Sequence, residues 1–218
     1  MSRHATFKDI YDILLAHYGP QHWWPAETAF EVMIGAVLVQ NTAWQNASKA
    51  IDNLKNAGLM SALAICDASS ERLASLIVSS GYFNIKTQRL KALCGWLLEK
   101  GDIPSIKDQS PGALRKDLLG IHGIGNETAD DILLYALEKP IFVIDAYTRR
   151  IFSRLGLVEH DASYNVLQNS FQQALDNDVY LFNEYHALIV AHGKNICQKK
   201  PICVKCCLQQ HCAEARQA

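Results

Sequence analysis

No apolar run in this 218-residue chain is long enough to cross a bilayer. The longest, Val32 to Val39, is interrupted by Gly35, whereas a spanning helix takes about 20 residues. The opening Met1-Ser2-Arg3-His4 lacks the apolar stretch of a signal peptide, so a soluble, cytoplasmic protein is expected. Excess charge is missing too: 21 Lys plus Arg against 22 Asp plus Glu leave a formal net charge of −1. That excludes a polycation gripping nucleic acid by bulk charge; such contact must come from a local patch or from backbone amides. Hairpin signals, internal repeats and low-complexity segments are also absent,. With 49% hydrophobic and 20% charged residues, the chain is globular, and its length suits one domain or two small ones.

What is present reads as helix nearly throughout. Phe7, Ile10, Tyr11, Leu14, Leu15 and Tyr18 recur at helical spacing before Gly19-Pro20,. Thr28 and Glu31 form a capping-box pattern ahead of an apolar stretch to about Val39,. Further helices are expected over 43–57, 71–79, 86–100, 111–119, 127–138, 146–155, 163–175 and 178–192. Ile141 to Ile144 is the one strand-like stretch, and it reads as an extended link. The fold class is all-α.

Cysteine is unevenly placed. Cys66 and Cys94 stand alone, while Cys197, Cys203, Cys206, Cys207 and Cys212 crowd the C-terminal end. An odd count, clustered and without a signal peptide, argues for a metal or cluster site over a disulfide framework. The spacing Cys197-x5-Cys203-x2-Cys206-x5-Cys212 suits a tetrahedral zinc or a [4Fe–4S] cluster. Cys207 competes with Cys206 for the ligand role.

Leu119-Gly120-Ile121-His122-Gly123-Ile124-Gly125-Asn126 lies between two helical segments. Its glycines permit a tight hairpin and close approach of the backbone to a partner. Free N–H groups at the start of the next helix would bind a phosphate without net positive charge. An ordinary interhelix turn is the competing reading.

Gly123-Ile124-Gly125-Asn126-Glu127-Thr128-Ala129, then Val143-Ile144-Asp145, then four C-terminal cysteines resemble the helix-hairpin-helix DNA glycosylases of the endonuclease III branch. Trp23-Trp24-Pro25, Gln40-Asn41-Thr42 and Gly125-x-Glu127-Thr128-Ala129-Asp130 are similar to the endonuclease III-like 3-methyladenine DNA glycosylases. The resemblance implies two helical lobes with a DNA-binding cleft. One would be a six-helix lobe, 28–139, with its hairpin at about 119–127; the other would join 1–27 to 140–218 and carry the cluster loop 197–212. It implies a [4Fe–4S] cluster over zinc, held by Cys197, Cys203, Cys206 and Cys212, although the gap before Cys203 is one residue shorter than in the bacterial endonuclease III pattern. It also implies a monomer that acts on double-stranded DNA containing a damaged base, without a membrane, at the nucleoid.

The resemblance assigns roles to single residues. Asp145 would be the catalytic carboxylate, stabilising the positive charge that builds on the sugar as an N-glycosidic bond breaks; helix capping is its ordinary role. Glu127 stands where bifunctional relatives place a Schiff-base lysine, which predicts a monofunctional glycosylase. Trp24 and Trp44, with Trp23, Pro25, Glu127 and Lys194, would line the base pocket, where aromatic faces attract a cationic alkylated purine. Gln40 and Tyr82 would fill the stack as the base leaves, with Lys86 near a phosphate, and Gly123, Gly125, Asn126 and Thr128 would contact DNA. Arg149, Arg150 and Arg154 lie on one expected helix flanking the site, where phosphate contact competes with an ordinary solvated face. The expected activity is excision of alkylated purines such as 3-methyladenine. The alternatives are a glycosylase/lyase for oxidised or mismatched bases and a non-catalytic, metal-stabilised DNA-binding module.

Overall fold

The computed structural model describes residues 5–216, and among them every regular element is helical. The chain divides into two compact units, Trp24–Lys139 and a second built from the segments through Trp23 and from Pro140 onward. The first unit thus begins at Trp24, four residues before the expected start at Thr28.

Trp24–Lys139 holds α2 (Ala29–Leu38), α3 (Trp44–Asn56), α4 (Ala62–Asp67), α5 (Ser70–Leu76), α6 (Phe83–Lys100), α7 (Ile103–Lys107), α8 (Pro111–Leu119) and α9 (Asn126–Asp131). That is eight helices where six were expected. The additional α4 and α7 are too short to show a periodicity, and only their caps, Ser61 and Asp102, mark them. α2 is apolar on every side, which suits a helix enclosed by others; residues 31–38 are all buried, packed by α3, α6 and α9. Its capping box is half formed. Thr28 accepts from the Glu31 amide, but the Glu31 carboxylate accepts from the Glu27 amide and pairs with Lys55 at 2.9 Å. α9 runs into a wider π-helical turn over Ile132–Ala136, so the expected single helix 127–138 is broken within.

The second unit contains α1 (Phe7–Tyr18), α10 (Ala146–Leu155), α11 (Tyr164–Ala174) and α12 (Val179–Asn195). Thr6 and Asp9 form a complete capping box at α1,. Its core is aromatic: Phe142 stacks on Phe171 at 4.1 Å, and Phe7 on Phe152 at 5.3 Å. α10 and α12 pack closely at Gly193, where a Cβ would meet the Tyr147 ring at 2.5 Å. Residues 141–144 belong to no helix and pair with no strand. After α12 the cysteine-rich segment is held in 3₁₀ turns over Cys203–Lys205, Gln209–His211 and Glu214–Arg216.

Candidate functional site

The turn between α8 and α9 is shaped for close approach. Gly123 has φ +84°, and a Cβ there would lie 2.4 Å from the Arg89 side chain, so conformation and space both require glycine. No side chain caps α9, and Gly125, Asn126 and Glu127 are exposed at its start. Behind them Arg115 donates to both carboxylate oxygens of buried Asp130, at 2.7 and 3.0 Å, and to the Asn126 side-chain carbonyl at 3.2 Å. This fork holds α9 against α8. Thr128, expected at the DNA surface, is buried; its hydroxyl accepts from Gln40 Nε2 at 2.8 Å.

Gln40 is correspondingly not a free inserting side chain. Its amide nitrogen also donates to the Gly123 carbonyl at 3.2 Å, and its carbonyl accepts from Arg89. Saturated this way, Gln40 ties the end of α2 to the hairpin. Tyr82 is different: it is 69% exposed at φ +47°, in the left-handed region that bulky side chains rarely occupy,. Lys86, expected near a phosphate, lies inward at 1% exposure and donates to the carbonyls of Leu38 and Ser80.

The aromatic residues of this unit form a cluster. Trp24 meets Trp44 edge-on at 5.4 Å and Tyr135 at 5.3 Å. Its ring also lies over Gly35, where a Cβ would come within 3.2 Å. Tyr135 sits in the π-helical turn and carries no sequence signal as a site residue. Pro25 is exposed beside the cluster in sequence, and Trp23 belongs to the second unit.

In that second unit, Asp145 caps α10. Its Oδ1 accepts from the Thr148 amide at 2.6 Å and the Thr148 hydroxyl at 2.8 Å. Its Oδ2 lies 3.7 Å from Nε2 of His186 on α12, with both side chains under 10% exposed. Burial pushes the carboxyl pKa up, but His186 and the Thr148 bonds outweigh it, so Asp145 titrates below its ordinary value and stays ionised,. Lys194 is exposed at the end of α12. Arg149, Arg150 and Arg154 do not form a phosphate-gripping face. Arg149 donates to the Ala162 carbonyl, Arg150 to those of Cys197 and Gly193 at 2.8 and 2.9 Å, and Arg154 to those of Gln198 and Lys199. Arg150 and Arg154 brace the backbone around the cysteine segment, and Arg149 braces the connection between α10 and α11.

Cys197, Cys203, Cys206 and Cys212 line one cavity with Arg154, Ile196 and Pro201. Cys207 is not among its lining residues. Three further groups touch the sulfurs: Arg154 Nη1 lies 3.4 Å from Cys197 Sγ, His192 Nε2 lies 3.5 Å from Cys206 Sγ, and the Arg154 carbonyl accepts from Cys212 Sγ at 3.3 Å. The other ring nitrogen of His192 pairs with the Tyr18 hydroxyl at 2.9 Å. Burial lowers the His192 pKa to about 4, so the ring is neutral. Among the described residues no three metal-binding side chains converge on a single ion position.

The model of the HhH-GPD superfamily of base excision DNA repair proteins matches residues 34–176. A Methanocaldococcus jannaschii protein, named provisionally as a DNA repair glycosylase, is 45% identical over 206 residues, which cover 93% of this chain and 94% of that one. Endonuclease III of Thermotoga maritima is 29% identical over 186 residues, covering 84% and 82%. Among solved structures, the 3-methyladenine DNA glycosylase of H. pylori bound to 1,N6-ethenoadenine superimposes with a TM-score of 0.75 at 31% identity, covering 85% of this chain and 96% of that one. No helix among the described residues is long and apolar enough to cross a membrane.

Proposed function

The chain belongs to the HhH-GPD superfamily and is an endonuclease III-like DNA glycosylase of base excision repair; from that premise we propose that it is monofunctional and excises alkylated purines, 3-methyladenine first, from double-stranded DNA. The observation that carries this reading is Glu127, exposed in the first turn of α9 where a lyase needs an amine. A carboxylate forms no Schiff base, so water must be the nucleophile.

The chemistry then falls to Asp145. As the C1′–N bond of a cationic alkylated purine breaks, the base leaves neutral and positive charge develops on the sugar. The ionised carboxylate stabilises that charge, water adds at C1′, and its proton passes to solvent, leaving an abasic site. Oδ1 is occupied by the cap, so Oδ2 is the oxygen that acts. A base that is already a good leaving group needs no strong general acid. The Trp24–Trp44–Tyr135 cluster supplies aromatic surface that favours a cationic base. The likeness to a 3-methyladenine glycosylase supports the substrate class.

Four cysteines around one cavity fit a [4Fe–4S] cluster better than a single zinc, because a four-iron cluster needs more volume than one ion and would take one thiolate for each iron. Cys197, Cys203, Cys206 and Cys212 would hold it. When bound, the cluster supplies the covalent ties that order this short, mostly irregular segment. We propose further that the enzyme acts as a monomer, in the cytoplasm at the nucleoid.

The test is incubation with methylated duplex DNA, analysis of released bases, and a gel for strand breaks before and after alkali. Free 3-methyladenine with breaks only after alkali is expected. Breaks without alkali, or a covalent complex trapped by borohydride, would overturn the monofunctional reading and point to another amine such as Lys194. Absence of any released base would remove alkylpurines as the substrate.

A further inference from the structure

Lys86 is the one buried lysine among the described residues. Burying an ammonium group is costly, and such groups ordinarily find a carboxylate. Here Nζ donates to two backbone carbonyls instead, Leu38 at 2.7 Å and Ser80 at 2.6 Å. Leu38 closes α2, where carbonyls are unpaired by the helix and the dipole is negative, so a cation there is stabilised. Ser80 ends the turn that leads through Gly81 to Tyr82.

Both carbonyls therefore stand two residues before a side chain of interest, Gln40 in one segment and Tyr82 in the other. Each segment also carries a residue at positive φ other than glycine, Asn41 at +54° and Tyr82 at +47°. Such conformations persist only where the surroundings over-determine them. One turn further along α6, Arg89 completes the arrangement: it donates to the Gln40 carbonyl and fills the space beside Gly123. Two cations on adjacent turns of α6 thus hold the end of α2, the Tyr82 turn and the glycine hairpin.

We infer that Lys86 is a positioning residue: by bridging the Leu38 and Ser80 carbonyls it sets the exposed Tyr82 at a fixed distance from the Gln40–hairpin assembly, so that the side chain entering the stack and the loop gripping the backbone act together. The inference rests on reading Tyr82 as the stack-filling residue. Lys86 itself touches no DNA.

The experiment measures single-turnover base release by the full-length, cofactor-loaded chain from two substrates: a methylated adenine paired in a duplex, and the same lesion in a single strand. Lys86→Met keeps the apolar stem but removes charge and donors. It is expected to slow release from the duplex about tenfold, the scale of a lost charged hydrogen bond, and to leave the single strand nearly unaffected. Filling the stack matters only where the base must be extruded. Tyr82→Ala is the control and should show the same split. A split for Tyr82→Ala but equal slowing on both substrates for Lys86→Met overturns the positioning role and leaves the wedge reading intact. No split for Tyr82→Ala overturns the wedge reading and the inference with it. Should Lys86→Met not fold, Lys86→Gln, which keeps a donor for one carbonyl, is read on the same two substrates and must show an intermediate split.

Discussion

His186 Nε2 stands 3.7 Å from Oδ2 of Asp145, and both side chains are under 10% exposed. At that separation the contact is electrostatic and not a hydrogen bond. His186 is the residue through which α12 acts on the cap of α10. Asp145→Asn removes the charge while keeping the cap geometry, and is expected to lower base release by on the order of 100-fold with DNA binding retained. Unchanged turnover in a single-turnover assay would place the catalytic carboxylate elsewhere.

Removing His186 should move a pH profile. Asp145 titrates below its ordinary value partly because of this neighbour, and in the proposed mechanism it acts only when ionised. A depressed carboxyl stabilises the fold at every pH above its unfolded value, and that contribution is lost as pH falls through the folded value. His186→Gln raises the folded value, so the acid limb of base release and of stability shifts toward higher pH. The plateau rate near neutrality should change little if His186 serves only to keep Asp145 charged. Parallel rate and denaturation measurements from pH 7 downward provide the check.

Lys86 contributes in the same direction, but in a more alkaline window. Burial and the nearby Arg89 lower its pKa from 10.5 to about 8, so between those values the unfolded chain binds more protons than the folded one. Stability should therefore rise with pH over that window through this group. Lys86→Met removes the rise, seen as a flatter dependence of the urea midpoint on pH than in the wild-type chain.

Gly123→Ala faces a positive φ and the Arg89 side chain 2.4 Å away. Left-handed strain and displacement of Arg89 are expected to cost about 1–3 kcal/mol. DNA affinity should fall further than stability, because the Gly123 carbonyl anchors Gln40. Calorimetry and a binding titration measure the two separately.

Cys207→Ser should leave the visible absorbance of the purified protein unchanged, since Cys207 is outside the cavity wall, whereas Cys206→Ser should bleach it. The reverse result would exchange the two ligands.

Much of this was legible in the chain itself. The all-helical class, the ends of α8 and α10 and the hairpin are written in local chemistry: Ser110-Pro111 opens one helix, Asp145 and Gly156 bracket another. Asp145 could be singled out because Val143-Ile144-Asp145 resembles the family pattern, and its place before α10 made it legible as a helix cap. The short helices α4 and α7 could not, because two turns are too few to display a period.

The partners that give these residues their character lie far off in sequence. Gln40 meets Gly123 across 83 residues, Trp24 meets Tyr135, and Lys86 reaches back to Leu38 across 48. The sequence by itself determined which residues can cap, turn, carry charge or bind metal, since those properties depend on side-chain type and near neighbours. Only the tertiary structure decided that Gln40 and Thr128 bond each other, that Lys86 points inward and that His186 faces Asp145. Burial and electrostatic pairing depend on which helices pack together, and local periodicity does not encode that.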